Sequence, residues 1–170
     1  MSKIFNNVMS PKSSLHHLFE LIFEHSLREQ EIVEVDPDLE NLTSKSDVIL
    51  DFVKYCCKKL DIVGKPVVKI TGDREKEGII TTAHYNIPKS EIAVYAKGRY
   101  LPDVLRSIAH ELVHMSQHEK GELEKHPMQH IGGYLEDDAN ARAGALVKAY
   151  GLVDSNKKIF TEARGGRSGS

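Results

Sequence analysis

The chain reads as a single α+β domain in which a small, mostly antiparallel sheet packs on several helices. Three observations lead to this. Apolar residues recur at helical spacing in separate stretches, and three short β-branched runs lie together between the second and third of them. The length, 170 residues, suits one core of ordinary size and not two.

Taken in order, Ser13 or Ser14 caps a first helix running to about Gln30, with Leu15, Leu18, Phe19, Ile22, Phe23 and Leu27 as its apolar stripe. The acidic stretch from Glu31 to Glu40, with Asp36-Pro37-Asp38 inside it, breaks the periodicity and reads as a loop. A second helix starts near Ser44 or Ser46 and ends near Leu60; Val48, Ile49, Phe52, Val53, Cys57 and Leu60 form its stripe. On that face Cys57 is a small core residue. Gly64-Lys65-Pro66 leads into a strand over Val67 to Thr71, and Gly72 to Gly78 is a charged turn. Ile79 to Tyr85 and Glu91 to Tyr95 read as two further strands joined by a turn containing Pro88. No helix separates these two, so they pair antiparallel.

Pro102 suits the first turn of a third helix, and Asp103 beside it favours the positive end of the helix dipole. Leu105, Ile108, Ala109, Leu112, Val113 and Met115 carry its apolar side to about Lys120, where Gly121 is a natural stop. A polar connection, Glu122 to Gly133, precedes a fourth helix from Tyr134 to Tyr150, ended by Gly151. The resulting division is one domain over 1–153, with a helical part at 1–62 and the sheet and remaining helices at 63–153. Residues 154–170 read as a flexible tail.

Composition excludes several classes. A net charge of −2 gives no footprint for nucleic acid or an anionic membrane. No stretch approaches the ~20 apolar residues that span a bilayer. Met1 to Ser10 lacks the basic region, apolar run and cleavage site of a secretory signal. Cys56 and Cys57 are adjacent and make no plausible structural disulfide with each other. A reducing, cytoplasmic setting is therefore expected.

Histidine is where chemistry enters. Five of the nine histidines, His110, His114, His118, His126 and His130, fall within 21 residues. His110-Glu111-Leu112-Val113-His114 is the informative part. Histidines four apart on a helix share one face and can each give a nitrogen to one Zn²⁺ at ~2.0–2.1 Å. Glu111 is rotated by about 100° from His110, out of ligation but within reach of a water at the metal, as a general base requires.

A catalytic zinc needs a third protein ligand and an open position. Glu136 lies 22 residues beyond His114, in the first turn of the following helix. A short connection would make the two helices antiparallel neighbours, and Ala139, Ala141, Ala143, Gly144 and Ala145 would let them approach closely. Asn140, one turn on, could accept the free ring N–H of a ligating histidine. Asp137 and Asp138 are explained by the helix dipole alone. His126 and His130 compete with Glu136 for the third position, whereas His118 lies too far along the axis from His110. Tyr134 and His130 are the foremost candidates for a transition-state donor, with His126, Tyr85 and Arg142 behind them.

These segments, HExxH on one helix and Glu136-x-x-Ala139-Asn140 on the next, resemble the gluzincin pattern of zinc peptidases. The resemblance covers roughly Ile79 to Tyr150 and is to minimal, single-domain members, since the large C-terminal helical domain is absent; Asn140 stands where Asp is commoner. It implies a zincin-like fold, Glu136 as third zinc ligand, Asn140 as support for a ligating histidine, and an edge strand that pairs with an extended polypeptide substrate. Ile92 to Tyr95 or Ile79 to Tyr85 would supply that edge. The function expected is zinc-dependent peptide hydrolysis with Glu111 as base. The rivals are a zincin-fold binding protein with a structural or vestigial metal site, an SprT-like peptidase with a histidine third ligand, and a zinc hydrolase of a non-peptide bond. Glu111 argues against the first, because a purely structural site has no use for a base.

Overall fold

The helices form where the apolar stripes are, and the sheet is fitted between them. The computed structural model describes residue 18 and residues 32–75, 77–125 and 133–160. The expected first helix, Leu18 excepted, lies outside these residues, as do His126 and His130. The elements in chain order are β1 (Val33–Val35), α1 (Glu40–Thr43), α2 (Ser46–Leu60), β2 (Val67–Thr71), β3 (Ala83–Asn86), β4 (Glu91–Tyr95), α3 (Leu101–Glu119), α4 (Glu122–Lys125) and α5 (Tyr134–Leu152). Short 3-10 turns occupy Ile87–Lys89 and Asp154–Phe160.

The α+β class holds, but the sheet is not mostly antiparallel. Its strand order is β1-β2-β4-β3. β1 runs parallel to β2 and β2 parallel to β4, and only the outer pair, β3 with β4, is antiparallel. Two features account for the difference. Val33-Glu34-Val35, inside the stretch read as a loop, pairs with Val68 to Ile70 as a three-residue edge strand. The chain from β1 to β2 then passes through α2, the kind of crossover that a parallel return needs. From β2 the chain travels to the far edge, forms β3, and turns back so that β4 enters between them. The strand expected over Ile79 to Tyr85 is shorter than its composition suggests. Gly78 adopts a positive φ, and main-chain bonds from Gly78 to Glu75 and from Ile79 to Arg74 hold the chain in a turn.

The core lies between the sheet and the helices. Ile49, Phe52, Val53, Cys56 and Leu60 of α2, Val68 and Ile70 of β2, Ile92 and Val94 of β4, and Leu105, Ile108, Leu112 and Met115 of α3 are all almost fully buried. Burial pushes both cysteine thiols up, Cys57 to about 12, so neither is a nucleophile. α3 is the central helix and packs on α2, α5, β3 and β4. Pro102 stands in its first turn, and Gly121, at a positive φ, follows its end.

The tail begins later than residue 154. Asp154–Phe160 folds back as a 3-10 turn on α5, with Ile159 buried. Gly151 does not stop α5, which continues to Leu152. It leaves room instead: a Cβ there would collide with the Phe160 ring. Among the described residues, no helix is long and apolar enough to cross a membrane.

Candidate metal centre

α3 is held in place by its apolar stripe, and the opposite side of its middle turns carries His110 and His114. Their rings stand edge to face, 4.7 Å between centroids, with the two Nε2 atoms 3.1 Å apart. Glu136, from the first turn of α5, reaches across to both. Its Oε2 is 3.4 Å from His110 Nε2, and its Oε1 is 3.1 Å from His114 Nε2. Contacts run His110 to Asn140, His114 to Glu136 and Gln117 to Leu135, so α3 and α5 are antiparallel. Ala139 and Ala143 are fully buried at this pairing, whereas Ala141 and Ala145 lie on the exposed face and contribute nothing to it.

The three donors fit a small divalent cation. Ligand atoms at ~2.0–2.1 Å from a tetrahedral metal lie roughly 3.3 Å from each other. Here the two imidazole nitrogens are 3.1 Å apart, and Glu136 offers one oxygen to each, Oε1 at 3.1 Å from His114 and Oε2 at 3.4 Å from His110. The protonation pattern supports the same reading. Gln117, fully buried, gives its amide nitrogen to the Leu135 carbonyl (3.2 Å) and Asp138 Oδ2 (3.0 Å). Its oxygen is thereby turned to His114 Nδ1 at 2.8 Å, which places the imidazole proton on Nδ1 and a lone pair on Nε2. That lone pair points at a carboxylate oxygen and a second imidazole nitrogen. A proton could relieve the repulsion along one line between two atoms. Three donors converging on one point suit a metal ion better. Among the described residues, His110, His114 and Glu136 are the group placed to hold one.

The supporting residues are consistent with this. The Asn140 side chain hydrogen-bonds to the His110 ring. Burial, and next the neighbouring His114, lower the pKa of His110 and keep it a neutral donor, against the opposing effect of Glu136. Asp138, assigned to the helix dipole from sequence, also anchors Gln117 and pairs with Arg142 at 3.4 Å. Gln117 was not singled out in the sequence; its signal is the position three residues beyond His114 on the same helical face.

Glu111 is 7% exposed. Burial pushes its carboxyl up to about 7, the Glu136 charge adds to this, and a hydrogen bond from the Tyr85 main-chain N–H opposes it. No described cation pairs with it. A cleft of about 340 Å³ opens beside His110 and Glu111, walled by Thr81 to Ala83 on the sheet side and by Asp103, Arg106 and Ser107 on α3, with Arg99 and Asn140 also lining it.

The remaining candidates lie elsewhere. Tyr134 is 69% exposed at the start of α5 and does not line the cleft. The Tyr85 ring stands against His118, which does not join the cluster. Arg142 is engaged with Asp138. His126 and His130 are outside the described residues. Comparison with protein-family models, with curated proteins and with solved structures finds no match to this chain, so the case for the site rests on its geometry.

Proposed function

We propose that the protein is a zinc-dependent peptidase acting on an extended polypeptide segment. The observation that carries this is the pairing of two features: two imidazoles and a carboxylate close enough to share one metal ion, and a buried carboxyl beside them with no cation among the described residues to pair with it. A purely binding role explains the first and not the second.

His110, His114 and Glu136 would hold the ion, with Gln117 and Asn140 fixing the two rings. Zinc, when bound, supplies Lewis acidity, polarising a carbonyl and making water acidic enough to lose a proton near neutral pH. Glu111 is the residue that takes that proton. In the metal-free protein burial pushes its carboxyl up to about 7, and the same burial favours the neutral acid that it would become. It then returns the proton to the departing amine. The Tyr85 N–H holds the carboxylate while it does so.

β3 offers a way to align the substrate. Tyr95 N–H donates to the Thr82 carbonyl at 2.9 Å, so by antiparallel alternation Thr82, His84 and Asn86 turn their main-chain groups to β4. Ala83 and Tyr85 turn theirs away from β4; the Tyr85 N–H is taken by Glu111, and Ala83 lines the cleft. An extended chain adding to the β3 edge would cross the cleft beside Glu111.

The purified protein is expected to carry about one zinc per chain by elemental analysis. Glu111→Gln should keep that zinc while cleavage of a peptide library falls by about 10²–10⁴-fold. A chain that binds no zinc, or a fully active Glu111→Gln, would sink the proposal.

A further inference from the structure

We infer that the cleft selects polypeptides carrying a carboxylate beside the scissile bond, recognised by Arg106 against a wall made positive by Arg99. This rests on the peptidase reading and adds the substrate class to it.

Arg106 lies one turn before His110 on the same face of α3, lines the cleft, and is exposed. No described residue forms an ion pair or hydrogen bond with its guanidinium. Arg99 is different: its position is fixed and its charge is only partly offset. Its Nη1 donates to the Tyr95 carbonyl at 2.7 Å, and its Nη2 to the Asp103 carbonyl and Ser107 Oγ, each at 2.8 Å. All three acceptors are neutral, so the guanidinium is held rigidly, and the nearby Asp103 carboxylate offsets part of its charge. Arg74, stacked over the Tyr95 ring at 4.2 Å, adds positive charge behind it. The one carboxylate lining this end of the cleft is Asp103, against two guanidinium groups. Glu111, two turns further along α3, also lines the cleft, and Glu136 lies against His110 and His114, where a bound dication would offset it.

An unpaired, planar guanidinium beside a fixed one matches a carboxylate, which it can bind through two parallel hydrogen bonds. The spacing sets where that carboxylate belongs. One helical turn from His110 is about 5.4 Å, and an extended chain advances ~3.3 Å per residue. The recognised group therefore lies within about two residues of the bond being cut. Either an Asp or Glu side chain or a free chain terminus provides this chemistry.

The test uses the full-length, zinc-loaded protein and fluorogenic peptides identical except beside the cleaved bond. Glu there should raise kcat/KM at least about tenfold over Gln, and the gain should shrink with added salt. Arg106→Glu, at an exposed position, should abolish or invert the preference. An internal Glu in an amidated peptide, set against a neutral peptide with a free terminus, distinguishes the two carboxylate sources. Binding of the same peptides to zinc-loaded Glu111→Gln, followed by fluorescence anisotropy, separates this inference from the peptidase reading. Tighter binding of the acidic peptides, reversed by adding Arg106→Glu, supports the inference even if the wild type cuts none of them. Hydrolysis or binding that does not distinguish Glu from Gln overturns it and leaves the peptidase reading standing.

Discussion

In Glu111 a carboxyl group whose ordinary pKa is 4.5 is enclosed by the protein, next to a second carboxylate, and rises to about 7. In the metal-free protein this affects stability in a defined direction. Between those two pH values the folded chain holds a proton that the unfolded chain has released, so stability falls as pH rises through that window. Above pH 7 the full penalty applies, on the order of 3 kcal/mol for such a shift. Glu111→Gln removes the titration. Urea unfolding of the metal-free proteins should show the variant more stable at pH 8 by about 1–3 kcal/mol and little different at pH 4; an equal difference at both pH values would contradict this. A group that weakens the fold at neutral pH has to be explained by what it does. His110, Glu111 and His114 could be found in the sequence from helical spacing, whereas Glu136 and Asn140 leaned also on the gluzincin resemblance, with His126 and His130 as rivals for the third position. Arg106 and Gln117 could not. An arginine or glutamine on a helix reads as solvated surface until the partner helix and the cleft wall are in place.

α3 and α5 form the site as a pair, and the buried amide of Gln117 is the joint between them. It fixes His114 on one helix and is anchored by Leu135 and Asp138 on the other. Gln117→Met keeps the volume and removes the hydrogen bonds. Zinc affinity, measured by competition with a chromophoric chelator, should fall by about 10–100-fold while far-UV circular dichroism stays unchanged. Unchanged affinity would reduce Gln117 to a packing residue. These helices were legible because their apolar stripes are long. The sheet was less so: β1 has three residues and a glutamate at its centre, too few for alternation to register. Parallel pairing of β2 with β4 is a contact between segments about twenty residues apart, decided by where β3 goes and not by local pattern.

The centre and the scaffold that supports it are separable parts of the same chain. At the far end of α5, Tyr150 donates to Asp51 of α2 at 2.7 Å and packs edge-on against Phe52 at 5.1 Å. Tyr150 is fourteen positions beyond Glu136, which at 1.5 Å per residue is about 21 Å along the helix. Tyr150→Phe keeps the ring packing and removes the hydroxyl. It should therefore cost about 1.5–3 kcal/mol, the worth of a hydrogen bond to a charged acceptor. At that distance the loss should leave zinc stoichiometry and affinity unchanged, since nothing in the His110, His114 and Glu136 cluster depends on that end of α5. Combined with Glu111→Gln in the metal-free protein, the two stability changes should add to within about 0.5 kcal/mol, as independent sites do. A larger departure in urea unfolding would mean that α5 transmits strain along its length, so that the burial of Glu111 depends on how the whole helix is seated on α2.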